Sequence, residues 1–83
     1  MAVYFLSLDL NIGRDYRELY EELDNLKAVR VLESDWCLER YNTTPSELRD
    51  YFKSFLGNDE GLFVIEANNW ATSNTFSTPN DLR

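Results

Sequence analysis

Ala2–Leu10 has the sequence AVYFLSLDL, a run of residues that favour β-strands. In a strand, alternate side chains point to opposite faces, and here both faces are largely apolar. One face would carry Val3, Phe5, Ser7 and Asp9, and the other Ala2, Tyr4, Leu6, Leu8 and Leu10. A strand that is apolar on both faces is typical of the centre of a sheet that is covered on both sides.

Two helices are predicted from apolar residues at three- and four-residue spacing. The first is expected over Asp15–Lys27, with the apolar stripe Tyr16, Leu19, Tyr20, Leu23 and Leu26. The second is expected over Pro45–Leu56, with the stripe Leu48, Tyr51, Phe52, Phe55 and Leu56.

The start of the second helix carries the clearest local signal. Thr44 precedes Pro45, and Glu47 follows three residues after Thr44, a spacing typical of a capping box with proline at the first helical position. Gly57 is placed to end the same helix in the left-handed conformation.

The remaining apolar segments are predicted to be strands. Ala28–Glu33 and Trp36–Tyr41 alternate apolar and polar residues, and they form either two paired strands or one long bent strand. Leu62–Ala67 is the last buried strand. From Asn68 onward the composition shifts to Asn, Thr and Ser.

The element order predicts an α+β fold of the ferredoxin-like βαββαβ type, with a four-stranded antiparallel sheet and both helices on one face. We expect one domain over residues 1–67 and a polar C-terminal tail over residues 68–83. Two helices on one face leave the second apolar face of the first strand without a cover. A second copy of the chain is the simplest cover, so we expect a homodimer. The tail segment Ala71–Thr78 is then expected to add a strand to the partner's sheet edge.

Composition excludes several kinds of chemistry. The 83 residues contain no histidine and one cysteine, so serine–histidine triads, histidine-bound zinc and thiolate clusters are all excluded. A metal would be a hard ion such as Mg²⁺ held by carboxylates. The single cysteine fits a reducing compartment, and we find neither an apolar run long enough for a membrane span nor a signal peptide. We therefore expect a cytoplasmic protein that does not enter the membrane.

The net charge of the chain limits the kinds of partner that it can bind. Fifteen acidic and eight basic residues give a net charge of −7. Such a surface repels phosphate backbones, which disfavours nucleic-acid binding.

Four residues could carry chemistry. Asp9, at the end of the first strand, either helps to hold Mg²⁺ or caps the following loop. Ser34 and Asp35 could join such a site, although turns also favour these residues. Cys37 lies between Trp36 and Leu38 with no histidine to activate it, which indicates a packing role.

Two surfaces could bind a protein partner. Four acidic residues share the first helix, either as a solvated face or as an imitation of nucleic-acid phosphates: Glu18, Glu21, Glu22 and Asp24. In the tail, Trp70 and Phe76 are either anchors on a partner or parts of a flap that closes their own domain.

Four segments together resemble the Cas-two family of small CRISPR-associated ferredoxin-like dimers: Tyr4–Asp9, Arg30–Glu39, Thr44–Glu47 and Leu62–Glu66. The opening MAVYFLSLDL, the L-E-S-x-W at 32–36 and the N-D-x-x-L-F-V-I from Asn58 are most similar to short stand-alone, SinR-like relatives. The resemblance covers about the first 67 residues.

In that family the aspartate at the end of the first strand is implicated in Mg²⁺ binding at the dimer interface, and some members are metal-dependent nucleases. The resemblance carries this role to Asp9 alone. We expect a non-catalytic homodimeric interaction module of mobile-element or CRISPR-type defence origin. The alternatives are a Mg²⁺-dependent nuclease using paired Asp9 residues and an acidic nucleic-acid mimic that inhibits a defence protein.

Overall fold

The structure, a computed structural model, describes residues 1–11 and 13–82. Ile12, in the predicted first loop, and Arg83, at the end of the predicted tail, lie outside the described residues. The elements are β1 (Ala2–Asp9), α1 (Arg17–Asn25), β2 (Val29–Leu32), β3 (Asp35–Arg40), α2 (Pro45–Lys53), β4 (Gly61–Ala67) and a short 3₁₀ helix, Pro79–Asp81. Neither α-helix among these elements is long and apolar enough to span a membrane.

The predicted ferredoxin-like α+β fold is confirmed. The four strands form one antiparallel sheet in the order β2-β3-β1-β4, so β1 lies between β3 and β4. The helix-covered face holds the main core, in which Tyr4, Leu6 and Leu8 of β1 are buried. The helices contribute Leu19 and Leu23 from α1, and Leu48 and Phe52 from α2.

The middle of the chain is a hairpin, which decides between the two alternatives that the sequence left open. β2 and β3 pair antiparallel, with Glu33 and Ser34 between them. The pairing is irregular between Arg30 and Leu32. The register places Trp36 on the helix-covered face and Cys37 on the other face, because Trp36 pairs with Leu6 and Cys37 pairs with Phe5.

The N-terminus of α2 is capped as predicted. Thr44 has an extended backbone, and its side-chain oxygen accepts a hydrogen bond from the backbone N–H of Glu47 at 3.2 Å. This bond satisfies one of the amide groups that have no partner inside the helix. Pro45 takes the first helical position, as expected.

The prediction for Gly57 is wrong. Gly57 is not among the residues with positive φ, and α2 ends earlier, at Lys53. Phe55 and Leu56 donate backbone hydrogen bonds to the carbonyls of Phe52 and Lys53, so the chain tightens into three-residue turns.

The left-handed cap belongs instead to α1. Lys27 has a φ of 61°. The Ala28 N–H bonds to the Leu23 carbonyl at 2.9 Å, and the Lys27 N–H bonds to the Asp24 carbonyl at 3.0 Å. This pair of bonds is a Schellman motif. Lysine lacks the glycine signal for such a cap, so the sequence predicted two more residues of helix than α1 has at this end.

Replacing Thr44 by Ala is expected to lower the free energy of unfolding by about 1 kcal/mol, because the cap to the Glu47 N–H is lost. Ser46→Ala, an exposed change in the same turn, is the matched control. Urea unfolding measures both variants, and equal midpoints for the two would contradict the role of Thr44.

Candidate functional site

The sheet face opposite the helices is the candidate site, and we call it the open face. On β1 it carries Val3, Phe5, Ser7 and Asp9, none of which is fully buried. The register adds positions from the neighbouring strands: Asp35, Cys37 and Glu39 from β3, and Phe63, Ile65 and Ala67 from β4. The second apolar face of β1 is therefore real, as predicted.

Part of the open face is covered by the chain's own tail. The ring of Trp70 lies 6.4 Å from that of Phe5, centroid to centroid. Farther along, the backbone N–H of Phe76 donates to the Val31 carbonyl at the β2 edge, at 2.9 Å. Pro79 is buried, and the 3₁₀ helix that it begins packs against β2. For Trp70, this places the side chain on its own domain, as the flap interpretation predicts.

The tail has a capped end of its own. The Thr78 side chain accepts a hydrogen bond from the Asn80 N–H at 3.2 Å, and the Asp81 carboxylate accepts one from the Thr78 N–H at 2.9 Å. These bonds form the reciprocal capping box. The sequence T-P-N-D at 78–81 carries this signal, and our sequence reasoning missed it.

A groove of about 510 Å³ remains between the tail and the sheet. Its sheet side includes Phe5, Leu32, Phe63 and Ile65, and Trp70 belongs to its tail side. Phe63 is 57% exposed, Ile65 46% and Leu32 45%. Several large apolar side chains thus stay in water on one side of the molecule, which is typical of a surface that another molecule covers.

The charges on this face have one sign. All three charged side chains at open-face positions of the strands are acidic: Asp9, Asp35 and Glu39. The strand arginines fall on the other face, because Arg30 pairs with Trp36 and Arg40 pairs with Ala2. The open face is therefore apolar at its centre and negatively charged around it.

Cys37 lies at an open-face position of β3 and is 0% exposed, and Asp81 of the tail is close enough for its charge to act on the thiol. Burial raises the pKa of its thiol to about 11, and the nearby charges of Asp81 and Glu39 act in the same direction. A thiol held neutral in this way is a poor nucleophile, so the structure supports the packing role.

Asp9 is exposed at the end of β1, opposite Gly61 of β4. Across residues 1–11 and 13–82, no three His, Cys, Asp or Glu side chains are grouped so that they could hold a metal ion. The structure does bring Ser34 and Asp35 beside the end of β1: the Leu8 N–H donates to the Ser34 carbonyl at 2.9 Å, and Asp35 pairs with Ser7. Mg²⁺ prefers six oxygen ligands, several of them water. Asp9 by itself would supply one carboxylate to such an ion.

The acidic residues of α1 do not all face water freely. Glu18, Glu21 and Asp24 are exposed, whereas Glu22 is half-buried and accepts a hydrogen bond from the Tyr51 hydroxyl of α2. This bond raises the pKa of Tyr51, because the neutral hydroxyl is the donor. Glu22 therefore ties the two helices together, whereas the other three acidic residues of α1 face water.

Glu60 carries a charge that no sequence pattern indicates as buried, although its side chain is 0% exposed. Its carboxylate accepts hydrogen bonds from the Gly57 N–H at 2.7 Å and from the Tyr16 hydroxyl. It also forms an ion pair with Arg14 at 2.6 Å. The Asn11 N–H donates to the Tyr16 hydroxyl at 2.6 Å, so the loop after β1 joins the same network.

These bonds lower the pKa of Glu60, the Gly57 N–H having the largest effect and the Tyr16 hydroxyl the next largest. A Cβ atom at Gly57 would lie 2.6 Å from Nη1 of Arg14, so a larger residue here would require the Arg14 guanidinium to move. The network joins residues 46 positions apart in sequence, Arg14 and Glu60. The sequence signals only a turn at this point, so nothing local predicts the network.

No family model matches the chain, and no solved structure matches it.

Glu60→Gln is expected to lower stability at neutral pH, because a neutral amide replaces a carboxylate that accepts several hydrogen bonds. The pKa of Glu60 is lower in the folded protein, so its contribution is present above the ordinary carboxyl pKa of 4.5 and is lost as the pH falls through the folded value. The melting temperatures of the two proteins should converge in acid. Glu66→Gln, an exposed change on β4, is the control because it removes the same charge. If the melting temperatures of Glu60→Gln and wild type differed by the same amount from pH 7 to pH 3, the role given to the Glu60 carboxylate would be wrong.

Proposed function

We propose that the chain is a cytoplasmic, non-catalytic interaction module that forms a homodimer through its open face. The single observation that carries the proposal is the apolar centre of that face, where Phe63, Ile65 and Leu32 remain exposed beside the tail. Burying one such side chain fully contributes about 1.5–3 kcal/mol. Three on each subunit can offset much of the cost of association.

We propose a second copy as the occupant because the open face of a sheet can pack against an identical face. A two-fold axis places the same patch on both subunits, so one apolar sheet face covers another. The open face belongs to a four-stranded sheet and carries the exposed side chains of Leu32, Phe63 and Ile65. The resemblance to the Cas-two family, with its ferredoxin-like dimers, supports the same arrangement and a mobile-element or CRISPR-type defence origin.

The acidic residues set the conditions under which the dimer forms. Two copies bring Asp9, Asp35 and Glu39 of each face together, and each chain carries a net charge of −7. Repulsion between the subunits therefore opposes the apolar attraction and should fall when salt screens it.

The first prediction of the proposal is a dimer that strengthens with salt. Raising the salt from about 0.1 M to about 1 M shortens the Debye length from about 10 Å to about 3 Å, so the dissociation constant should decrease. Sedimentation equilibrium at micromolar concentration measures it. A protein that stays monomeric at both salt concentrations would show that the homodimer is wrong.

The same measurement locates the interface. Phe63→Ser should weaken association by about tenfold or more, because each fully buried large side chain contributes at least about 1.5 kcal/mol. Tyr41→Ser is the matched control, since Tyr41 is an equally exposed aromatic residue, 63% exposed, outside the open face. Equal effects of the two substitutions would place the interface elsewhere.

We expect no metal-dependent nuclease activity. The alternative needs Asp9 and its copy to hold Mg²⁺ between two subunits, and a substrate phosphate would then approach a negatively charged face. The assay is cleavage of single- and double-stranded DNA and RNA with Mg²⁺ or Mn²⁺, with Asp9→Ala as the comparison. Metal-dependent cleavage that disappears in Asp9→Ala would establish the nuclease and displace the non-catalytic module.

A further inference from the structure

One part of the open face, around Cys37, is closed to water, and the tail lies over this side of the sheet. Cys37 pairs with Phe5 on one side and Val29 on the other, so its side chain points away from the helices. It is nevertheless 0% exposed. The segments that lie on this face are Trp70 against Phe5 and the 3₁₀ helix against β2, and we call residues 70–82 the strap.

Few bonds hold the strap to the sheet. Among the described residues, one backbone hydrogen bond joins them, from the Phe76 N–H to the Val31 carbonyl. The other attachments are the Trp70 ring and the buried Pro79. Between these points the strap is mostly exposed, and the Phe76 side chain is 70% exposed. A segment with few buried contacts opens at a lower free energy than the core around it.

We propose that the strap is an intramolecular lid that occupies part of the surface on which a partner docks, so that its release enlarges the docking face. The lid and the partner compete because both need the same apolar side chains. While the strap is closed, Phe5 packs on Trp70, and a partner reaches the groove between the strap and the sheet, where Leu32, Phe63 and Ile65 are exposed. A surface that is available in only a fraction of the molecules binds with an affinity reduced by that fraction.

That the strap and a second copy compete for the open face rests on the proposed function. That the strap covers Cys37 does not rest on it. The two parts therefore have separate measurements. Cys37 is the only cysteine of the chain, so its reaction with an aromatic disulfide reagent reports opening of the strap directly. In that reaction the Cys37 thiolate forms a mixed disulfide with one half of the reagent and releases the other half as a coloured thiolate.

Two full-length variants open the strap at different points. Phe76→Pro removes the N–H that donates to Val31, and its matched control is Phe76→Ala, which also loses the ring but keeps the N–H. Trp70→Ala removes the contact with Phe5. Thr44→Ala, which weakens the helix-covered side, controls for labelling through unfolding of the whole domain.

We expect labelling of Cys37 to be several-fold faster in Phe76→Pro than in Phe76→Ala, in line with the loss of one hydrogen bond. It should be about tenfold or more faster in Trp70→Ala than in wild type. The same variants should show a lower dimer dissociation constant by sedimentation, again with Phe76→Pro compared with Phe76→Ala.

Each other outcome has a distinct meaning. Labelling that is unchanged in both opening variants, or that increases as much in Thr44→Ala, overturns the lid. Faster labelling with weaker association overturns the competition, since the strap would then be part of the interface. Faster labelling in proteins that are all monomeric supports the lid over Cys37 and shows that the homodimer is wrong.

Discussion

The central strand β1 is apolar on both faces, and two helices on one side of the sheet can cover only one of them. On the covered side, Tyr4, Leu6 and Leu8 are buried among residues of α1 and α2. On the other side, the described residues that lie on the sheet come from the tail, which is mainly Asn, Thr and Ser. The arrangement of the tail, the groove and the exposed aromatic residues all follows from this shortage of apolar cover.

The tail covers part of the open face, with Trp70 on Phe5 and the 3₁₀ helix against β2, and leaves Leu32, Phe63 and Ile65 exposed. Its own stability comes from local features: proline at the first position of the 3₁₀ helix and the capping box between Thr78 and Asp81. These features fix the end of the tail without a large apolar core. The consequence is a cover that shields Cys37 completely but leaves Phe63 more than half exposed. A face covered in this uneven way leaves an exposed apolar part that a partner can cover.

The fold could be predicted from the sequence because its elements follow periodic apolar patterns. The strands and helices were placed to within a few residues, and the Thr44 cap was found from its spacing alone. The left-handed cap was assigned to the wrong helix, since Gly57 carries the usual signal and Lys27 does not. The hairpin of β2 and β3 could not be decided from Ser34 and Asp35, because the same residues are common in turns and in irregular strands.

The site was harder to predict than the fold, because its features depend on distant contacts. Glu60 is buried by Arg14, Tyr16 and Gly57, and none of these is near it in sequence except Gly57. The sequence likewise shows a charged residue at Glu22 but not its bond to Tyr51. The acidic residues thus differ in what they do: Glu60 and Glu22 join segments of the fold, whereas Asp9, Asp35 and Glu39 lie on the open face. Charges on the open face act at the shortest distance on anything that approaches that face, so their placement matters as well as the total charge of the chain.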